Sequence, residues 1–434
     1  MGDCEKKVES NKAKGDEILT QTHKFKYVSL FSGVGGFEQA LNKLGGKCVM
    51  ASEIDKWANL AYETLYGHKT VGDITKVNAE DVPDHDLLTA GFPCQSFSVA
   101  GKRLGFEDTR GTLFFEMARI AKAKQPKVIL AENVKGLVGH DKGRTLNVII
   151  QTLCDIGYTV DFNVLNSKYF GVPQNRERVF IVAVRDDLVE QEPWIDVKGN
   201  AVVPKAKRRI QQLEGVKTFN FDWPLQTEVT TRLRDILEDN VDEKYYLSEE
   251  KTAKLVAQLE DKEVESTDVL NVGQVDKWNQ RGNVMSDTGV CKTVTAVDYK
   301  MPPIVKQHIT EPQMLGHIDL KGRRTHVVEE VRPVLTPDRE NKRQDGRRFK
   351  DDGEESFTLT AQDRHGVAIG QPPRYRIRKL TPRECFRLQG FPDSEFDKLV
   401  TAGISNSQLY KMAGNAVTIN VIDAIGRRLL SYLN

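Results

Sequence analysis

No stretch of this chain approaches the roughly 18 consecutive apolar residues that a membrane-spanning helix needs, so a helical membrane protein is excluded. The opening segment, MGDCEKKVESNKAKGDEILTQ, lacks the apolar core of a signal peptide and reads as a polar lead-in. Met1-Gly2 allows N-myristoylation only in name, because position 6 is Lys6 where Ser or Thr is wanted. Paired cysteines are absent as well. The six cysteines (Cys4, Cys48, Cys94, Cys154, Cys291, Cys385) are scattered with no C-x-x-C, which argues against a zinc site and against a disulfide scaffold. No metal is therefore expected. Nor is there an excess of charge of one sign: the formal net charge is +1. Its distribution is uneven, since residues 321–350 carry ten Lys/Arg against five Asp/Glu.

What is present is alternation. KYVSLF (26–31), KCVMASEI (47–54), DLLTAGF (86–92), KVILAEN (127–133) and RVFIVAVR (178–185) read as buried strands. Between them FEQALNKLG, WANLAYETL, TLFFEMARIAKA and TLNVIIQTLCDIG have helical spacing, with Gly45 and Gly157 suited to C-caps. Strand–helix alternation predicts an α/β fold with a doubly wound, mostly parallel, Rossmann-like sheet. Four divisions follow: a lead-in over 1–25, a doubly wound domain over 26–188, a smaller loop-rich region over 189–375, and a helical segment over 376–434 that returns to the first domain. Within the loop-rich region Thr293-Val-Thr-Ala and Thr358-Leu-Thr-Ala resemble each other, either by chance or as a duplicated hairpin.

In open α/β sheets ligands gather at the carboxyl ends of the strands. Here those ends carry Phe31-Ser-Gly-Val-Gly-Gly36, then Ser52-Glu53-Ile54-Asp55, then Pro93-Cys94-Gln95, and then Glu132-Asn133-Val134. A glycine-rich turn, an acid, a thiol and a second acid would face one crevice. The turn lacks the G-x-G-x-x-G dinucleotide fingerprint, since Phe37 stands directly behind Gly36; with Glu53 some 20 residues on, it suits a nucleoside without a pyrophosphate. Cys94 alone is more simply a core thiol. Pro93 before it and Ser96, Ser98, Gly101, Gly105 and Gly111 after it describe instead a loop that closes on a substrate.

These stretches, with Gln174-Asn-Arg-Glu-Arg178 and Gly414-Asn-Ala-Val417, resemble in order and spacing the motifs of DNA cytosine carbon-5 methyltransferases of the bacterial or phage restriction–modification type. The resemblance covers most of 1–185 and 376–434, and 190–375 takes the place of a variable target-recognition region. It implies methylation of cytosine C5 within a specific duplex sequence, with S-adenosyl-L-methionine as cofactor and double-stranded DNA as partner. The nucleophile would be Cys94, adding at C6, and Glu132 the carboxyl acting at N3. Arg178 would hold the base O2, with Arg176 as a supporting cation; an ordinary ion pair is the alternative for either. The base must be flipped out of the stack for this chemistry.

On the same resemblance Phe31, Gly33, Gly35, Gly36, Glu53, Ile54, Asp73, Ile74, Pro93, Asn415 and Val417 would form the cofactor pocket, although Ile54, Ile74 and Val417 could equally be core. Gln95, Ser98, Lys102, Arg103 and Arg110 would meet DNA from the loop after Cys94, and Arg347, Arg348, Thr358 and Leu359 from the recognition region. Ala100 stands where a polar residue is expected to fill the gap left by the flipped base, so Ser98 or a recognition-region residue would take that part. A cytoplasmic, nucleoid-associated monomer protecting host DNA, with any cognate restriction endonuclease acting separately, completes the expectation. The rivals are an RNA-directed methyltransferase of the same chemistry, disfavoured by the long insert, a catalytically dead DNA-binding protein, and a nicotinamide oxidoreductase.

Overall fold

A computed structural model describes residues 23–93, 113–248, 250, 271–274, 283–286, 290–293, 304–308, 331–335, 365–369 and 375–434. The first half of the chain lays down strands β1 (Phe25–Leu30), β2 (Gly46–Ser52), β3 (Leu87–Ala90), β4 (Val128–Val134), β5 (Tyr158–Asn166), β6 (Gln174–Asn175) and β7 (Glu177–Arg185). Six of them form one sheet in the order β2-β1-β3-β4-β7-β5. Pairs β1–β2, β1–β3 and β3–β4 are parallel, whereas β7 runs antiparallel to both β4 and β5. The sheet is α/β and mostly parallel as expected, with β7 alone reversed.

Period-two alternation sorts these strands onto two cores. Tyr27, Leu87, Val128, Leu130, Phe180 and Val182 point to one side, where α1 (Gly36–Lys43) and the C-terminal helices pack. Val28, Leu88, Ile129, Ala131, Ile181 and Ala183 point to the other, against α3 (Leu113–Lys124) and α4 (Arg144–Asp155). Each such Val, Leu, Ile or Phe side chain contributes about 1.5–3 kcal/mol relative to exposure. Helix α2 (Lys56–Tyr66) is N-capped by Asp55, whose carboxylate accepts from the Trp57 and Ala58 amides. Gly45 and Gly157, at positive φ, follow the ends of α1 and α4 as their C-cap reading requires.

The strand β5 went unread in the sequence. Its pattern YTVDFNVLN carries Asp161 and Asn163 where a buried strand would be apolar. Asp161 is nevertheless buried, because Lys207 of α5 (Val202–Ile210), the Phe221 amide and the Trp223 indole all donate to it. The C-terminal segment also breaks up more than its pattern suggests. It comprises α6 (Pro382–Arg387), α7 (Asp393–Thr401), α8 (Asn406–Asn415) and α9 (Ile419–Leu433), with Ala416–Thr418 separating the last two. Helix α9 packs on α1, where Gly426 meets Leu41 and Leu44, and the Leu433 carbonyl accepts from Lys127 at 2.7 Å. Within the insert, β12 (Tyr375–Lys379), β11 (Ile304–His308), β9 (Asn283–Ser286) and β8 (Asn271–Gln274) form a four-stranded sheet, and β10 (Cys291–Lys292) pairs with β6.

Candidate active site

The direction of β7 decides the geometry of the site. Antiparallel to β4, it brings its first residues to the carboxyl edge of the sheet, with Arg178 opposite Val134 and Phe180 opposite Glu132. Glu132 and Arg178 are therefore diagonal neighbours on one face, within reach of long side chains. The Arg178 Nε lies 3.2 Å from Glu132 Oε1, and both side chains are largely buried. Burial raises the Glu132 carboxyl above its usual range, a rise that the charges of Arg178 and Arg176 oppose without cancelling. Burial likewise lowers the Arg178 guanidinium, against the pull of Glu132.

Next to this pair stands the end of β3. A Cβ on Gly91 would come within 3.8 Å of Glu132 Oε2, so the strand end passes directly alongside the acid. Asn133 fixes that approach: its amide donates to the Phe92 carbonyl at 2.7 Å, while its own oxygen accepts from the Val134 amide. Pro93 follows, exposed. Cys94, Gln95, Ser98, Lys102, Arg103, Arg110, Arg347, Arg348, Thr358 and Leu359 lie outside the described residues. Asn133 was missed as a positioning residue, though a carboxamide directly after a strand-end acid is the signal that could have found it.

The run Gln174–Arg178 works as a junction. Gln174 donates to the Leu388 carbonyl, the Asn175 carbonyl accepts from Thr293, and Glu177 pairs with Lys135. Arg176 is buried and donates to the carbonyls of Gly414 at 3.3 Å and Ala416 at 2.8 Å. Burial and the neighbouring Arg178 pull its guanidinium down to about 9, against the charge of Glu132. It touches the C-terminal segment as well as lying near the acid, which is more than the supporting cation expected of it.

The second half of the site surrounds the glycine-rich turn. Phe31 and Gly33 both adopt positive φ, at 57° and 56°, and a Cβ on Gly33 would meet nothing within 4 Å. That leaves a strained backbone corner open to a ligand. Gly35 serves another purpose, since a Cβ there would lie 2.2 Å from the Tyr66 ring. Gly36 is filled from the far end of the chain: a Cβ would lie 2.7 Å from a Val417 methyl. Glu53 Oε2 accepts from the Gly33 amide at 2.9 Å, and its Oε1 accepts from the Ile54 and Asp55 amides, both at 2.7 Å. Ile54 projects into solvent at 74% exposure beside that carboxylate, whereas Ile74 is buried in the core. Asp73 caps the turn that Ile74 begins, accepting from Thr75. Asn415 is exposed at the end of α8, and Val417 is buried behind the turn. An exposed aliphatic face, a carboxylate held to a glycine amide and an open αL corner suit an adenosine-like group with a ribose diol.

One further acid sits beneath this turn. Glu38 of α1 is fully buried, and neither carboxyl oxygen makes a hydrogen bond of ordinary geometry among the described residues. Burial raises it to about 7, only partly offset by the nearby Ser29 and Tyr62 hydroxyls. The pattern FEQALNKLG gave no signal for it, because a helix's third residue is an ordinary place for an exposed glutamate.

No group of three or more His, Cys, Asp or Glu arranged to hold a metal occurs among the described residues, and no described helix is long and apolar enough to cross a membrane. Residues 25–431 match the family described as C-5 cytosine-specific DNA methylase. The chain is 46% identical to the orphan methyltransferase M.SPRI of Bacillus phage SPR, over 95% of this chain and 99% of that one. It is 32% identical to the type II methyltransferase M.HhaI of Haemophilus parahaemolyticus, over 94% and 95%. Among solved structures it resembles the Dnmt2 methyltransferase of S. pombe, with a TM-score of 0.53 and 18% identity over 93% of this chain and 98% of that one, a likeness of fold.

Proposed function

The chain belongs to the C-5 cytosine-specific DNA methylases, and on that premise we propose that it methylates C5 of a cytosine flipped out of duplex DNA, through a covalent Cys94 adduct. The observation that carries this reading is the buried Glu132–Arg178 pair beside Gly91, three residues before Cys94. C5 of cytosine is a weak nucleophile. Addition of the Cys94 thiolate at C6, with Glu132 giving a proton or hydrogen bond at N3, makes the ring an enamine with electron density at C5. A carboxyl raised by burial suits that task, because burial favours its protonated form more than an exposed carboxyl's. Arg178 turns toward the base O2, where negative charge accumulates. The methyl group that C5 takes up would come from bound S-adenosyl-L-methionine, whose sulfonium S–CH3 bond would break to leave S-adenosylhomocysteine. A base then removes the C5 proton, and the thiolate leaves to restore the aromatic ring.

Cofactor selection rests on Glu53 for the ribose diol, Ile54 and Phe31 for the adenine faces, Asp73 and Ile74 at the adenine edge, and Gly33 for close backbone approach. Asn415 and Val417 close the pocket from the C-terminal segment. Pro93, Gly35 and Gly36 shape its walls. Base flipping costs a few kcal/mol, which contacts from Gln95, Ser98, Lys102, Arg103 and Arg110 offset. Arg347, Arg348, Thr358 and Leu359 read or position the target. Relatives described as orphan methyltransferases favour an enzyme working without a cognate endonuclease, and a protective role against other restriction enzymes stays compatible with that.

The test uses methyl-labelled cofactor with duplex DNA and tRNA in parallel, followed by bisulfite sequencing of DNA from a host expressing the chain. Label in duplex DNA at cytosines of one or a few sequence contexts is expected, and Cys94→Ala should reduce it to background. Label in tRNA alone, or full activity in Cys94→Ala, contradicts the reading.

A further inference from the structure

The residues that would meet the cofactor come from two ends of the chain, and something must hold those ends together. Lys411 of α8 precedes Asn415 by four residues, which puts both on one helix face. Its Nζ lies 2.6 Å from Asp55 Oδ2. Asp55 uses its other oxygen to cap α2, and its amide donates to Glu53 Oε1 at 2.7 Å. Glu53 in turn accepts from the Gly33 amide at 2.9 Å. An unbroken chain of polar contacts thus runs from α8 through Asp55 and Glu53 to the glycine-rich turn. On the opposite flank Arg176 grips the carbonyls of Gly414 and Ala416. The segment Gly414–Val417 is pinned from the cofactor side by Lys411 and from the base side by Arg176.

We propose that the Lys411–Asp55 pair is a latch that sets the spacing between Asn415 and Glu53, so that Lys411 is a positioning residue for the cofactor although it touches none of it. The inference rests on the proposed cofactor reading. The two side chains are 39% and 32% exposed, so their attraction is open to screening by salt. A pair of that exposure is worth about 0.2–1 kcal/mol, which converts to a change of up to about fivefold in an equilibrium constant.

Calorimetric titration of the full chain with S-adenosylhomocysteine reads this without any turnover. Lys411→Met is expected to weaken binding about three- to fivefold and to flatten its dependence on potassium chloride, while kcat at saturating cofactor holds within about twofold. Lys411→Arg should restore affinity. Asp55→Asn keeps an N-cap for α2 but removes the charge, so it should weaken binding to a similar extent. The double variant should be no worse than either single one, because both remove the same contact. Additive losses in the double variant, or wild-type affinity and salt dependence in Lys411→Met, overturn the latch. Failure of the wild-type chain to bind S-adenosylhomocysteine would instead overturn the cofactor reading beneath it.

Discussion

Two regions of this molecule bury an arginine against a glutamate, and they finish the contact differently. At the start of α6, the Glu384 carboxylate accepts from both Arg378 terminal nitrogens, at 2.7 and 2.8 Å, and also from the Thr381 and Glu238 amides at 2.8 Å. Both side chains are fully buried. At the carboxyl edge of the sheet, Glu132 has a single approach from Arg178, through Nε at 3.2 Å, and no hydrogen bond of ordinary geometry among the described residues. The first pair has no remaining capacity and holds the insert sheet to the C-terminal helices. Among the described residues the second keeps lone pairs and donors unspent. A buried charge left incompletely satisfied costs stability, and the function proposed for this site, binding a base and exchanging a proton, needs that unspent capacity. Residue type is the same in both places; what differs is saturation.

The comparison can be broken first at the saturated end. Glu384→Gln puts an amide nitrogen against the Arg378 guanidinium and forfeits charge-assisted hydrogen bonds. Chemical denaturation should show a loss of about 3–5 kcal/mol, while the folded fraction binds S-adenosylhomocysteine with wild-type affinity. An unchanged denaturation midpoint would mean that the saturated pair is not what stabilises this junction.

A smaller effect comes from a third buried glutamate, one with no cation paired to it among the described residues. Glu38 has its folded-state pKa raised from an ordinary carboxyl value to about 7. Its contribution is therefore complete below about pH 4.5 and is lost as pH rises through 7, since the folded state then bears a buried charge. Glu38→Gln should leave stability unaltered in acid and raise it by about 3 kcal/mol at pH 8 relative to wild type. Parallel stability curves for the two proteins from pH 5 to 8 would show that Glu38 is not a buried neutral acid.

Legibility followed the same line. Periodicity revealed five strands, the α/β class and the strand-end motifs, because apolar burial leaves a regular trace in sequence. It did not reveal β5, whose Asp161 is buried only by grace of Lys207, Phe221 and Trp223 far along the chain. It did not reveal the break at Ala416–Thr418, where Arg176 takes up carbonyls that a continuous helix would have used internally. The candidate site residues come from the family resemblance, and Arg178's place at the same edge as Glu132 depends on the antiparallel β7, which no local pattern announces. Asn133, Lys411 and Glu38 stayed hidden because each acts through a partner remote in sequence or through the lack of one.

The most direct test of the distinction is Glu132→Gln, with single-turnover methyl transfer and thermal unfolding measured on the same preparation. A loss of about 10²–10⁴ in rate is expected, with the unfolding midpoint within about 2 °C of wild type. Wild-type transfer, or a collapse of stability like that of Glu384→Gln, would contradict the distinction.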